Sequence, residues 1–168
     1  RFADIEYNLS VIRERIAKAA SLSGRSADDV TLMAVTKTVE PEYINHAIDC
    51  GINLIGENKV QEYLGKKPYL RECEAHLIGH LQSNKVRKII TEVDMIQSVD
   101  SVHLAQAINK ASENLGITAK ILLEVNIGGE DSKTGFDKEA FINSLHEISQ
   151  MSSLSVKGLM TIPPICDD

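Results

Sequence analysis

Thr31-Leu32-Met33-Ala34-Val35-Thr36 is a short apolar run. Pro41 then opens a segment whose Ile44, Ala47 and Ile48 share a helical face, Gly51 closes it, and Ile52-Asn53-Leu54-Ile55 begins a second apolar run. This strand–helix–strand reading decides the fold, because strands joined through an intervening helix pair in parallel. The punctuation has a physical cause. Proline suits the first turn of a helix, where its missing N–H would have had no partner, and glycine accepts the left-handed backbone that ends one.

The alternation continues outward from there. A helix through Val60, Tyr63 and Leu64 precedes a strand at Ala75-His76-Leu77-Ile78. A helix holding Val86, Ile89 and Ile90 precedes a strand at Met95-Ile96-Gln97-Ser98-Val99. Leu104, Ile108, Ala111 and Leu115 mark the next helix before Gly116, and residues 120–127 form the most apolar strand. A helix with Phe141, Leu145 and Ile148 leads to a sixth strand over 156–162, ended by Pro163-Pro164. Ahead of it all, Phe2, Ile5, Leu9, Ile12, Ile16 and Ala19 lie on one stripe of an N-terminal helix that Gly24 stops. Near-continuous apolar strands predict a parallel sheet covered on both faces. A doubly wound sheet and a (β/α)8 barrel both satisfy this pattern. A barrel takes eight strands and about 250 residues, so six strands imply an open sheet or part of a barrel.

The chain of 168 residues has 18 Lys+Arg, 24 Asp+Glu and a net charge of −6, with 43% hydrophobic and 25% charged residues. That is globular composition, expected to form one domain over 1–168. No apolar run approaches the ~20 residues that span a bilayer, and the N-terminus shows no basic-then-apolar signal, so a cytoplasmic protein without a membrane partner is expected. The negative balance argues against a nucleic-acid partner held by bulk charge. Cys50, Cys73 and Cys166 are odd in number and widely spaced, the pattern of reduced thiols and not of a metal knuckle.

Side chains alternate across a strand, so parity sorts residues that share a face. Met33, Val35 and Lys37 fall together in the first strand, and Leu54, Gly56 and Asn58 in the second. Ile78 and His80 follow in the third, Leu122, Glu124 and Asn126 in the fifth, and Gly158, Met160 and Ile162 in the sixth. Polar groups thus collect at the carboxyl ends of strands, where parallel α/β proteins place ligands. Lys37 is the sharpest candidate. Apolar walls beside its amine disfavour the charged form, and a neutral amine is what Schiff-base chemistry with an aldehyde requires. The alternative is a strand-end lysine that snorkels its charge into water.

Other segments are weaker. His76 and His80, four apart, have the spacing of helix-borne zinc ligands, but here they sit on a strand and turn without the glutamate of that motif, so ordinary hydrogen-bonded histidines are expected. Residues 128–135, Gly-Gly-Glu-Asp-Ser-Lys-Thr-Gly, lack the Gly-Lys-Ser/Thr of a phosphate loop, and Glu130-Asp131 would repel phosphate. A mobile polar loop is expected, from which Lys133 could lean over a bound anion. Gly56-Glu57-Asn58 enters a helix that Asn58 could cap, or Asn58 could face the strand mouths. Lys85, Arg87 and Lys88 read as a solvated face.

Five segments taken together resemble one family. They are Ala34-Val35-Thr36-Lys37-Thr38; Gly56-Glu57-Asn58 with Val60-Gln61-Glu62; residues 76–85 from His76-Leu77-Ile78-Gly79-His80 to Lys85; Ser132-Lys133-Thr134-Gly135; and Gly158-Leu159-Met160-Thr161-Ile162-Pro163-Pro164. In order and spacing they are similar to the pyridoxal-phosphate homeostasis proteins. The resemblance implies an alanine racemase N-terminal type (β/α)8 barrel, here the first six βα units plus an N-terminal helix. It implies pyridoxal 5′-phosphate on Lys37, with Asn58 and Met160 near the cofactor ring and His80 and Lys133 near the mouth. It also implies a role in vitamin B6 and amino-acid homeostasis without turnover, apo forms of pyridoxal-phosphate enzymes as partners, and a monomer at full length.

Family members continue past the sixth strand into segments that grip the cofactor phosphate, and nothing here matches those segments. The expectation is a C-terminally incomplete barrel that binds the cofactor weakly and tends to associate. Two further readings remain. A racemase-like enzyme would need a second proton carrier opposite the lysine, and Tyr7, Tyr43, Tyr63 and Tyr69 all fall on or near helices. An aldolase-like barrel would use Lys37 on a substrate ketone directly.

Overall fold

The structure, a computed structural model, describes residues 1–128 and 134–163. Six strands form one parallel sheet in the order of the chain: β1 (Ala34–Val35), β2 (Leu54–Glu57), β3 (Glu74–Leu77), β4 (Met95–Val99), β5 (Ala119–Glu124) and β6 (Leu154–Met160). Helix α1 (Phe2–Leu22) precedes the sheet, and α2 (Pro41–Asp49), α3 (Val60–Lys66), α4 (Val86–Ile89), α5 (Val102–Leu115) and α6 (Lys138–Ser149) make the crossovers. Each strand pairs with its sequence neighbour, and nowhere does the order reverse. A doubly wound sheet must reverse at its switch point, so this winding is that of a barrel wall. The wall has two edges, β1 and β6, among the described residues.

The core lies between the sheet and its helices. Ile55 on β2, Leu77 on β3, Ile96 and Val99 on β4 and Ile121 and Leu123 on β5 are fully buried, packed with Ile44, Val86, Ile89 and Ile108 from α2, α4 and α5. Helix ends follow the sequence punctuation. Pro41 opens α2, and Gly116, in a left-handed conformation at φ 64°, closes α5. Ser101 caps α5 by accepting the Leu104 N–H, and Asp137 caps α6 by accepting the Ala140 N–H.

The first strand departs most from expectation. The apolar run 31–36 yields only the two residues of β1, because one partner strand alone stands beside it and a 3-10 turn at Ala27–Asp29, capped by Ser26, occupies the chain just before. The others shift by one to three residues, and β4 spans Met95–Val99 as read.

Candidate functional site

The face assignments can be tested at a glycine. A Cβ built on Gly56 would lie 2.5 Å from Met33 Sδ and 3.0 Å from Ile78 Cδ1. Met33, Gly56 and Ile78 therefore share one face of β1–β3, as parity required. Thr36 and Glu57 sit on the opposite face, buried and in contact with α3 through Lys66. Beyond these strands, Lys37 stands two residues past β1 in a turn, and Asn58 one residue past β2. His80 lies three residues past β3, and Met160 is the last residue of β6. All four stand at the carboxyl ends of strands. Lys133 lies outside the described residues.

Lys37 is exposed, which corrects the expectation of an amine walled off by apolar groups. The cause is the edge position of β1. Val35, the last residue of β1, is itself 50% exposed. Asn58 is half-buried, and its Oδ1 is fully enclosed with no hydrogen-bond partner among the described residues. It does not cap α3, whose N-cap is Lys59 without a side-chain cap bond. Gly79 is essential to this corner, since a Cβ there would lie 2.6 Å from Asn58 Cα and closer still to its carbonyl oxygen. Met160 is half-buried and tied into the sheet by its carbonyl, which accepts the Val125 N–H.

The histidines behave as ordinary hydrogen-bonding groups. His76 is buried between Glu74 Oε1 at 3.0 Å and Gln97 Nε2 at 2.8 Å. His80 Nδ1 lies 3.0 Å from Asp100 Oδ2 just past β4, and the Ser98 hydroxyl donates to the Gly79 carbonyl at 2.7 Å. Asp100 thus orients His80 at the strand mouths, a partnership that no spacing rule could have shown. Before the 129–133 segment, β5 ends on Glu124, which is buried and accepts the Thr134 hydroxyl at 2.7 Å.

The most densely bonded group near Lys37 is one that the sequence marks only as a helix entry. Glu57 is fully buried and accepts the Thr36 hydroxyl at 2.6 Å. Lys66 Nζ donates to Glu57 at 3.0 Å, to Glu62 at 2.7 Å and to the Thr36 carbonyl at 2.8 Å, and Glu62 also accepts the Thr38 N–H. The hydrogen bond from Lys66, with that from Thr38, holds Glu62 below the usual carboxylate range. Burial works against the charge on Lys66, but its bonds to Glu62 and Glu57 outweigh it and keep the ammonium above the usual lysine range. Glu62 and Lys66 are an i,i+4 pair that sequence alone marks as a routine surface bridge. Glu57 carries the missed signal: a carboxylate on the helix-facing side of a buried strand must find a partner.

The alanine racemase N-terminal domain family matches residues 6–168. The pyridoxal phosphate homeostasis protein of Aquifex aeolicus is 39% identical over 162 residues, covering 95% of this chain and 71% of the relative. The chain belongs to the pyridoxal phosphate homeostasis protein family. The Escherichia coli K12 member is 34% identical over 165 residues, 95% of this chain and 70% of its own length. Among solved structures, PipY of Synechococcus elongatus PCC7942 with PLP bound superposes at a TM-score of 0.75 with 34% identity, covering 90% of this chain and 72% of PipY. A protein of unknown function from Bifidobacterium adolescentis reaches 0.93 at 38% identity, over 100% of this chain and 73% of its own. Alanine racemase of Clostridium difficile, at 16% identity and a TM-score of 0.68, shares the fold with this homeostasis-family chain. The family's barrel is the architecture that the monotonic strand order displays.

Proposed function

We propose that this chain binds pyridoxal 5′-phosphate through Lys37 and serves vitamin B6 and amino-acid homeostasis without catalysing a turnover. The observation that supports this reading is the position of Lys37 and Asn58 just past the carboxyl ends of adjacent strands, in a fold shared with PipY, whose structure holds PLP. When bound, the cofactor would supply an electrophilic aldehyde, which the neutral amine of Lys37 would hold as an imine with release of one water molecule. The residues present fit such a group. Lys37 offers an accessible amine, Asn58 an enclosed acceptor that awaits a donor, and Met160 an apolar, polarizable side chain at the end of β6. His80, held by Asp100, supplies a polar group at the mouth. Lys133 is the remaining proposed contributor.

The homeostasis names of the relatives favour a carrier over an enzyme. So does the position of the tyrosines. Tyr7, Tyr43 and Tyr63 lie on α1, α2 and α3, and Tyr69 in the 3-10 turn that follows α3; the Tyr63 hydroxyl is spent on the Glu92 carbonyl at 3.0 Å. A carrier's natural recipients are apo forms of pyridoxal-phosphate enzymes, and the free thiols of Cys50 and Cys73 suit a reducing compartment such as the cytoplasm. No helix among the described residues is long and apolar enough to cross a membrane.

The test is borohydride reduction of the chain mixed with pyridoxal 5′-phosphate, followed by peptide mapping. The expected result is a reduced adduct on Lys37 that is lost in Lys37→Ala, together with the violet absorbance of the unreduced mixture. An adduct confined to other lysines overturns the assignment, and α-proton exchange of an amino acid in deuterated buffer overturns the carrier reading.

A further inference from the structure

Lys37 occupies the second position of a turn, since the Val39 N–H bonds to the Thr36 carbonyl at 3.1 Å. The third position, Thr38, has φ 61° and is the one non-glycine residue with positive φ among the described residues. A β-branched side chain is a poor choice there, so the conformation persists only if its surroundings hold it. The surroundings are the network of α3 and β2, buried at Thr36 and Glu57 and half-buried at Lys66 and Glu62. An ammonium has three donors, and Lys66 spends all three, on the Thr36 carbonyl, Glu57 and Glu62. Glu57 takes the Thr36 hydroxyl, and Glu62 takes the Thr38 N–H. The main chain is therefore gripped on both sides of Lys37, whose carbonyl accepts the Thr38 hydroxyl at 2.7 Å while its side chain takes no part in the grip.

We propose that Lys66, through Glu57 and Glu62, is a positioning residue that fixes the strained 36–39 turn and so aims the Lys37 amine at its ligand. The proposal rests on the reading of Lys37 as the attachment point. The network is suited to the task because its carboxylate Glu62 and its ammonium both hold their charges more firmly than usual, so the grip persists across neutral pH. A salt bridge that merely stapled α3 to the sheet would need none of the three bonds to the 36–38 main chain and hydroxyl.

The experiment compares the rate at which pyridoxal 5′-phosphate attaches to Lys37, read by borohydride trapping and peptide mapping, in the parent, Lys66→Met, Lys66→Arg, Glu62→Gln and Lys66→Met/Thr38→Gly, with thermal midpoints measured alongside. Attachment in Lys66→Met should slow about tenfold or more, the scale set by a misplaced reacting group. Lys66→Arg should restore part of the rate. Thr38→Gly should restore rate in the Lys66→Met background without restoring the thermal midpoint, because glycine adopts the left-handed turn unaided. An attachment rate within about twofold of the parent in Lys66→Met, with only the midpoint lowered, overturns the proposal. Should Lys66→Met not fold, Glu62→Gln decides alone: a slowed rate supports it and an unchanged rate overturns it. Trapping on lysines other than Lys37 in the parent instead defeats the underlying assignment, an outcome distinct from either.

Discussion

Gly79 shows how one missing side chain lets two stretches of backbone meet. Its Cα hydrogen side faces the Asn58 backbone, so alanine there would force main chain and not a flexible tip to move. Overpacking of this kind costs roughly 1–3 kcal/mol. Gly79→Ala should lower the urea midpoint accordingly and weaken cofactor binding, since the displaced residue is Asn58 itself. An equilibrium urea curve paired with a spectral titration checks both. The position of Lys37 just past a strand end was legible in the sequence, because the apolar run before it marks the strand. Glu57, one residue from Asn58, was not, because its partner Lys66 is nine residues on and meets it only after α3 folds back onto β2. The pairing of His80 with Asp100 escapes for the same reason, being made across two strands.

Helix α3 couples the site to the pH dependence of stability. Tyr63 is buried, and burial first, with nearby acidic groups, pushes its phenol up to about 12, while the unfolded chain loses that proton near 10. Stability therefore falls as pH rises between those values, by up to about 1.4 kcal/mol per pH unit. Lys66, held above its ordinary 10.5, adds to the same alkaline loss, because the unfolded chain gives up its proton first. Glu62 and Glu92 lie below their ordinary 4.5, through hydrogen bonds from Lys66 and Lys67 respectively, so stability also falls as pH drops below that value. Denaturation midpoints measured from pH 3 to 12 should show a plateau between these flanks, and Tyr63→Phe should flatten the alkaline one. At α5 the expected outcome is simpler. Ser101→Ala removes the cap on Leu104 and the hydroxyl donated to Asp100, at about 1 kcal/mol in thermal or urea unfolding. Elements whose ends carry Pro, Gly or a capping hydroxyl were readable in advance. β1 was not, because strand length depends on partners that local sequence does not name.

The described sheet ends at β1 on one side and β6 on the other, and apolar groups cluster by the second edge. Leu159 and Ile142 are more than half exposed, and Val156 and Leu145 nearly half. Exposed strand edges flanked by apolar side chains invite pairing with another chain. The 168-residue chain should therefore show concentration-dependent association in sedimentation velocity, reduced by Leu159→Lys. The monotonic order β1-β2-β3-β4-β5-β6 has one more consequence. Among the described strands, each one after β1 finds a partner in the strand made immediately before it, so none of these pairings waits for a distant part of the chain. Such a wall can grow while it is being synthesised, each new βα unit zipping onto the last as it leaves the ribosome, and the nascent N-terminal half would already present the Lys37 turn in its final form.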